Sequence, residues 1–319
     1  MKLSIIIPVY NVEKYIKGTL ESIFSQGVDN ALFEVIVVND GTPDNSMDVV
    51  SDFAKKYNNL IVVSQCNAGL GAARNTGVRH AAGDFVWFVD SDDKIVENSI
   101  EEIIRIVDNH NAEIYYFAIK NVEEATGRLW VDYPILKDTS EDLYNKIVTG
   151  YDLSNKIAIG ISQKNIYNRK FFISRGLWYD ESIIHEDNEQ GVRVLAEALK
   201  CYCSKTVIYQ YLRRTSGSIT TSNRFKSIKS QLDTIKIWEE YISRFELSKQ
   251  SKHIVYHYIF LQIYNLFLTS DEVLKELKFD KFVFKKKAIY AFKRSLHFHS
   301  KGKILRLLFL LFNLKIKMR

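Results

Sequence analysis

Residues 3–9 (LSIIIPV), 33–38 (FEVIVV), 60–63 (LIVV) and 85–89 (FVWFV) are short apolar runs, rich in β-branched side chains and bounded by polar residues. Runs that do not alternate with polar positions suit strands buried on both faces, as in a parallel sheet. Helical patterns over roughly 12–26, 46–57, 70–82 and 97–109 separate and follow them. Asp44, Asn45 and Ser46 offer caps for the second of these helices. Strand and helix thus alternate four times within about 110 residues, which predicts βαβ units with right-handed crossovers. The expected fold is α/β, a doubly wound and mostly parallel sheet, with ligands at the carboxyl ends of its strands. Beyond residue 120 the pattern loosens, and 121–140 mixes strand and turn residues. A helix is predicted over 186–199, an alternating strand over 201–209 (CYCSKTVIY), and helix from about 225 onward. A boundary near 222 divides an α/β unit, 1–222, from a helical, basic extension, 223–319.

Length agrees with two units, since 319 residues at the usual ~150 per domain make about two. With 14 Gly and 3 Pro the chain is neither low-complexity nor collagen-like. Cys66, Cys201 and Cys203 make no paired framework, which points to a reducing compartment. The opening MKLSIIIPVYN has too short an apolar run, and too early an Asn, for a signal peptide. No stretch reaches the ~18 apolar residues of a spanning helix. The expectation is a cytoplasmic protein. Its net charge of +6 conceals a division: 12 of the 44 Lys and Arg lie in 281–319, which has no acid. The first 280 residues therefore carry 32 basic against 38 acidic side chains. An acidic body argues against nucleic-acid binding, and the basic end calls for an anionic surface.

The chemistry gathers where the strands end. Strand one closes on Pro8-Val9-Tyr10-Asn11, and Pro8, lacking an N–H, is tolerable only where pairing stops. Strand two closes on Asn39-Asp40-Gly41, strand three leads into Asn67-Ala68-Gly69-Leu70-Gly71 with Arg74-Asn75, and strand four runs into Asp90-Ser91-Asp92-Asp93. Any one cluster is explained by the liking of turns for Asp, Asn and Gly. Four on one sheet edge indicate a site. Three carboxylates within four residues repel one another unless a cation or donors compensate them. Their hard oxygens suit Mg²⁺ or Mn²⁺, and the bland alternative is an acidic helix start. The Gly69-Leu70-Gly71 stretch is half of a dinucleotide fingerprint, but it follows the wrong strand and has Arg74 in the third small-residue position. It reads better as a helix N-terminus that favours phosphate, with Arg74 as a cationic fork.

Taken in order, Pro8-Val9-Tyr10-Asn11, Asn39-Asp40-Gly41, Asn67-x-Gly69 with Arg74-Asn75, Gly83-Asp84-Phe85 and Asp90-Ser91-Asp92-Asp93 resemble the family-2 glycosyltransferases. These are inverting enzymes with the GT-A nucleotide-sugar fold, and the bacterial surface-polysaccharide type is the nearest. The resemblance is close over residues 3–93 and resumes at His185–Glu189 and around Tyr209–Thr220. It implies that Pro8, Val9 and Tyr10 line a uracil pocket and that Asp40 accepts from the uracil ring N–H. It places Arg74 near the base or the phosphates, Asp90 at the ribose, and Asp92 on a metal bridging the pyrophosphate. Asn67, Gly69 and Ser91 complete the nucleotide-sugar set, while Asp93 serves as helix cap or support. It makes Asp187 the base and Glu186 its acceptor-side partner, a pair that spacing alone would read as ordinary helix-start acids. A loop of the Tyr209–Thr220 kind closes over the diphosphate in relatives, with Arg213, Arg214, Ser216 and Ser218 as donors and Gly217 as hinge.

The expected activity is metal-dependent, inverting transfer from a UDP-sugar to a hydroxyl of a glycan or lipid-linked acceptor. Two other classes stay open: a sugar-nucleotidyltransferase, which would want a glycine-rich loop after strand one, and a non-catalytic peripheral protein that keeps the fold. Residues 304–314 (ILRLLFLLFNL) hold nine apolar residues of eleven between flanking lysines. That is too short to span a bilayer and long enough to lie at an anionic interface, so 281–319 is expected at the inner face of the membrane.

Overall fold

In the computed structural model, residues 1–136, 141–214, 224–268, 277 and 280–295 are described. Four strands, β1 (Leu3–Val9), β2 (Phe33–Asn39), β3 (Leu60–Ser64) and β4 (Phe85–Phe88), form a parallel sheet in the order β3-β2-β1-β4. Helices α1 (Ile16–Phe24), α2 (Ser46–Lys56) and α3 (Leu70–His80) are the crossovers, and α4 (Ser99–Asn109) follows β4. In β1, Leu3, Ile5, Ile7 and Val9 pack with α1, α2 and α4, whereas Ile6 packs with α3 on the other face. A strand whose alternate side chains are buried on both sides has to be apolar throughout, as the pattern required. The run at 60–63 departs from this: β3 is the edge strand, and Ile61 and Val62 are exposed. Nothing in its composition distinguishes an edge from a centre.

The second half widens the sheet to ten strands. A two-residue β5 (Lys94–Ile95) follows the acidic cluster, so Asp93 does not begin a helix. Then come β6 (Ile114–Glu123), which forms an antiparallel hairpin with β7 (Leu129–Asp132), β8 (Ile147–Val148), β9 (Asn165–Asn168) and β10 (Cys201–Arg213). The strand β9 runs antiparallel between β4 and β6, and β10 pairs parallel with β6. Short helices α5 (Gly150–Leu153) and α6 (Arg169–Ser174) precede α7 (Glu186–Glu197). Among the described residues after 224 three helices follow, as expected: α8 (Arg224–Arg244), α9 (Lys249–Phe267) and α10 (Lys281–Arg294). Ile235, Trp238, Val255, Phe260 and Phe292 from these helices join the cluster that holds Ile6, Val38 and Phe88. They cover one face of the sheet. No helix among the described residues is long and apolar enough to cross a membrane. The stretch 304–314 lies outside the described residues.

Candidate active site

The carboxyl ends of β1, β2 and β4 are neighbours, so the loops that follow them meet on one edge. The Val9 carbonyl accepts from Asp40 N–H and the Ile6 carbonyl from Val89 N–H. Pro8, between them in the alternation, therefore faces the β4 side, where the ladder has already ended at Ile6↔Phe88. Its missing donor costs nothing there, which is the position expected for it. Tyr10 stands at the mouth, 49% exposed. Behind it Asn11, at φ 55, donates its N–H to Thr42 Oγ1 (2.8 Å), and Glu13 N–H reaches Asp44 (2.8 Å). Burial alone would raise the Asp44 carboxyl, but donors from Ser46, Thr42 and Glu13 hold it down at about 2.

Asp40 is buried and already busy. Gln65 Nε2 and Ala68 N–H donate to its Oδ1 at 2.8 and 2.9 Å, and Gly69 N–H donates to Oδ2 at 3.0 Å. Gly69 takes φ 92, a left-handed turn that glycine enters without strain, and α3 begins at the next residue. The carboxylate of Asp40 thus caps the turn into α3 across the sheet, filling part of the anion-binding end that the sequence offers to phosphate. A carboxylate has about four acceptor positions, so room remains on Oδ2 for one more donor. Asn67 beside it is exposed.

Arg74 lies inside the junction behind the strand ends. It is 1% exposed, with Nη1 donating to Glu186 Oε1 at 2.6 Å and Nη2 to Asp90 Oδ1 at 3.0 Å. Its guanidinium also lies over the Tyr179 ring. Burial opposes its charge, and Asp90 and Glu186 more than restore it, so its pKa is raised. A guanidinium so placed ties the end of β4 to the start of α7. The same contact engages one oxygen of the buried Glu186 carboxylate. Asn75 reinforces the junction, exchanging bonds of 2.9 Å with both backbone groups of Tyr179. Gly71 lets the elements approach: a Cβ there would meet the Asp180 carbonyl at 3.1 Å and Glu186 Cγ at 3.4 Å.

The acidic cluster divides by partner. Asp93 is locked, with Tyr209 O–H donating at 2.6 Å and Leu212 N–H at 2.7 Å, so it anchors β10 instead of capping a helix. Burial first, then Asp92 and Asp90, push its carboxyl well above the usual range. Asp90 accepts from Arg74 and from Gln163 Nε2. Ser91 is buried, and its carbonyl and that of Asp93 both accept from Thr19 Oγ1, at 2.9 and 2.7 Å. Asp92 faces a cation: Arg214 Nη2 lies 2.7 Å from its Oδ2. Burial and Asp90 raise the Asp92 carboxyl, and Arg214 only partly offsets them. Ligand oxygens of Asp90, Asp92 and Asp93 lie within 4.8 Å of one another. Together with Glu186 and Asp187, five carboxyls face two guanidiniums, a surplus of negative charge that a divalent cation would satisfy. This set of oxygen donors fits a hard divalent cation such as Mg²⁺ or Mn²⁺.

Asp187, in the first turn of α7, is partly buried. Burial and then Glu186 raise its carboxyl to about 7, against the opposing pull of Arg74 and the Asn188 N–H. Gln163, Tyr179 and Tyr209 hold this constellation, and only Tyr209 lies in a segment the sequence singled out. Gln163 is a lone polar residue in an unpatterned stretch and gave no local signal. Arg213 bonds Asn121 at 3.2 Å and lies over the Trp130 ring. Ser216, Gly217 and Ser218 lie outside the described residues.

Residues 4–176 match the model of the family described as Glycosyl transferase family 2. The chain is 31% identical over 225 residues to the glycosyltransferase GlyA of Streptococcus pneumoniae, covering 68% of this chain and 31% of that protein. The crystal structure of Staphylococcus aureus TarS 1–349 in complex with UDP-GlcNAc superposes with a TM-score of 0.65 at 22% identity, over 97% of this chain and 87% of that one. The mannosyltransferase PcManGT from Pyrobaculum calidifontis, in complex with GDP-Man and Mn²⁺, has a TM-score of 0.57 at 16% identity, over 98% and 81%. The fold is thus shared across the described sheet and helices.

Proposed function

This chain belongs to glycosyl transferase family 2, and from that premise we propose that it moves a sugar from a UDP-sugar to an acceptor hydroxyl with inversion. The acceptor is a glycan or lipid-linked saccharide of bacterial surface polysaccharide. The observation that carries this reading is Asp187: a carboxyl raised to about 7, joined through Glu186 and Arg74 to Asp90 of the acidic cluster. A base matched to neutral pH works best when its pKa lies near the operating pH. The acceptor O–H gives its proton to Asp187 while its oxygen bonds the anomeric carbon. The bond from that carbon to the diphosphate oxygen breaks on the opposite face, and UDP leaves.

The exposed Tyr10 ring lies against the uracil, Pro8 and Val9 form the strand end beneath it, and the remaining acceptor position of Asp40 takes the ring N–H. Asn67 and Gly69 border this pocket, and Asp90 and Ser91 hold the ribose side. A divalent cation at Asp92, when bound, offsets the charge that grows on the leaving phosphate. Arg214, now paired with Asp92, supplies charge beside it. The TarS complex with UDP-GlcNAc supports a uridine donor, and the Mn²⁺ complex of PcManGT supports the cation. The test is thermal unfolding with UDP, GDP, CDP and dTDP, each in Mn²⁺ and in EDTA. A ligand at 100 times its Kd stabilises by about 2.7 kcal/mol, so UDP with Mn²⁺ is expected to raise Tm clearly above the other three. No shift with any nucleotide overturns the donor site, and a UDP shift that survives both EDTA and Asp92→Ala overturns the metal assignment.

A further inference from the structure

The helices α8 and α9 lie beyond residues 4–176, which match the family, yet they enclose a cavity at the very turn that carries Asp187. Its volume is about 260 Å³, and it opens between the start of α7 and the facing sides of α8 and α9. His185 and Asn188 form the α7 wall, and they flank Glu186-Asp187 in the chain. Gln231 and Thr234 on α8, one turn apart, and Gln262 on α9 form the opposite wall. Trp238 also lines it, with its indole N–H donating to the Glu189 carbonyl at 3.3 Å.

The near wall is held in place. His185 adopts φ 64, left-handed for a residue with a Cβ, and its Nε2 lies 3.1 Å from Ser227 Oγ. Such a conformation persists where the surroundings over-determine it. Asn188 packs over Gly160, where a Cβ would come within 2.1 Å of its Oδ1.

The lining contains no Asp, Glu, Lys or Arg. Carboxamides and hydroxyls each donate and accept, which matches the mixed donor and acceptor character of sugar hydroxyls. A charged ligand would meet no carboxylate, ammonium or guanidinium there and only the His185 ring, which is held at Ser227, and an apolar one would strip partners from the amides. The space is below the ~300–1,000 Å³ of a pocket for a drug-sized molecule, room for one sugar ring and too little for a nucleotide. We infer that this cavity, lined by the residue that follows Asp187 in the chain, is an acceptor subsite that binds one neutral, hydroxyl-bearing sugar unit. The inference rests on the transfer reading above and adds where the acceptor lies and what chemistry it has.

The full chain, its Gln231→Leu/Gln262→Leu variant, and UDP with Mn²⁺ serve as the test. Saturation-transfer NMR is run with methyl glycosides of glucose, galactose and N-acetylglucosamine at millimolar concentration, with acetate and benzene as charged and apolar controls. Transfer to at least one glycoside and to neither control is expected in the parent. In the variant the glycoside Kd should rise about tenfold, the loss of two ordinary hydrogen bonds, while UDP affinity and Tm stay as in the parent. Because UDP is titrated in the same samples, a missing UDP response counts against the transfer reading. Intact UDP binding with no glycoside transfer, or with transfer unaltered in the variant, counts against the subsite alone. A Thr234→Leu variant, which fills the cavity from a single α8 position, must show the same glycoside loss if the double variant fails to fold.

Discussion

At Asp187, burial and a neighbouring carboxylate set a titration near neutrality, and the sign of its effect follows. Because the folded value is raised above the ordinary 3.8, the protonated form favours the folded state. That contribution is complete below the unfolded value and is lost as pH rises toward about 7. With Asp187 as the proposed base, activity runs the other way, since its carboxyl must be ionised. The rate at subsaturating acceptor is therefore expected to fall about tenfold per pH unit below 7. Asp187→Asn should abolish transfer with UDP affinity unchanged, and its Tm relative to the parent should rise between pH 5 and pH 8. A pH-independent Tm difference would show that Asp187 does not titrate in this range. The residue type and its place after Glu186 were legible in the sequence; its pKa was not, because burial comes from elements distant in the chain.

Arg74 acts between elements. From α3 it holds Asp90 after β4 and Glu186 at the head of α7, so one side chain sets the angle at which the base helix meets the sheet edge. Arg74→Met would leave two carboxylates facing each other in a buried site. Breaking a buried pair in this way costs about 3–5 kcal/mol, and Arg74→Lys should recover little of it, since a point charge cannot bridge two acceptors as a fork does. Urea unfolding at pH 7.5 checks this, and a loss under about 1 kcal/mol would place Arg74 outside the framework. The sequence marked Arg74 as functional for a sound reason, a cation at a helix start. Its direction depended on Glu186, 112 residues away, which no local pattern reports.

For the whole molecule, charge and core pull the basic end in different directions. Ala288, Ala291 and Phe292 of α10 are buried in the cluster that backs the sheet, and Lys287 pairs with Glu239 at 2.5 Å. Part of 281–319 is therefore bound to the body, and removing all of it would expose core. Truncation after Ser295 is expected to release the protein from anionic vesicles in co-sedimentation, and equal binding by the truncated chain would discard a membrane role for 296–319. By itself the sequence determined the alternation of buried strands and helices, the location of four polar clusters at strand ends, and the acid pair opening α7. Those are consequences of local periodicity and of residue chemistry at short spacing. The tertiary structure alone decided that β3 is an edge, that β9 runs antiparallel within the sheet, and that Asp93 and Arg74 support the site from inside. It also decided that α8 and α9 close a polar cavity against His185 and Asn188. Each depends on which distant residue supplies a partner, and that partner is chosen by packing, which a linear pattern does not encode.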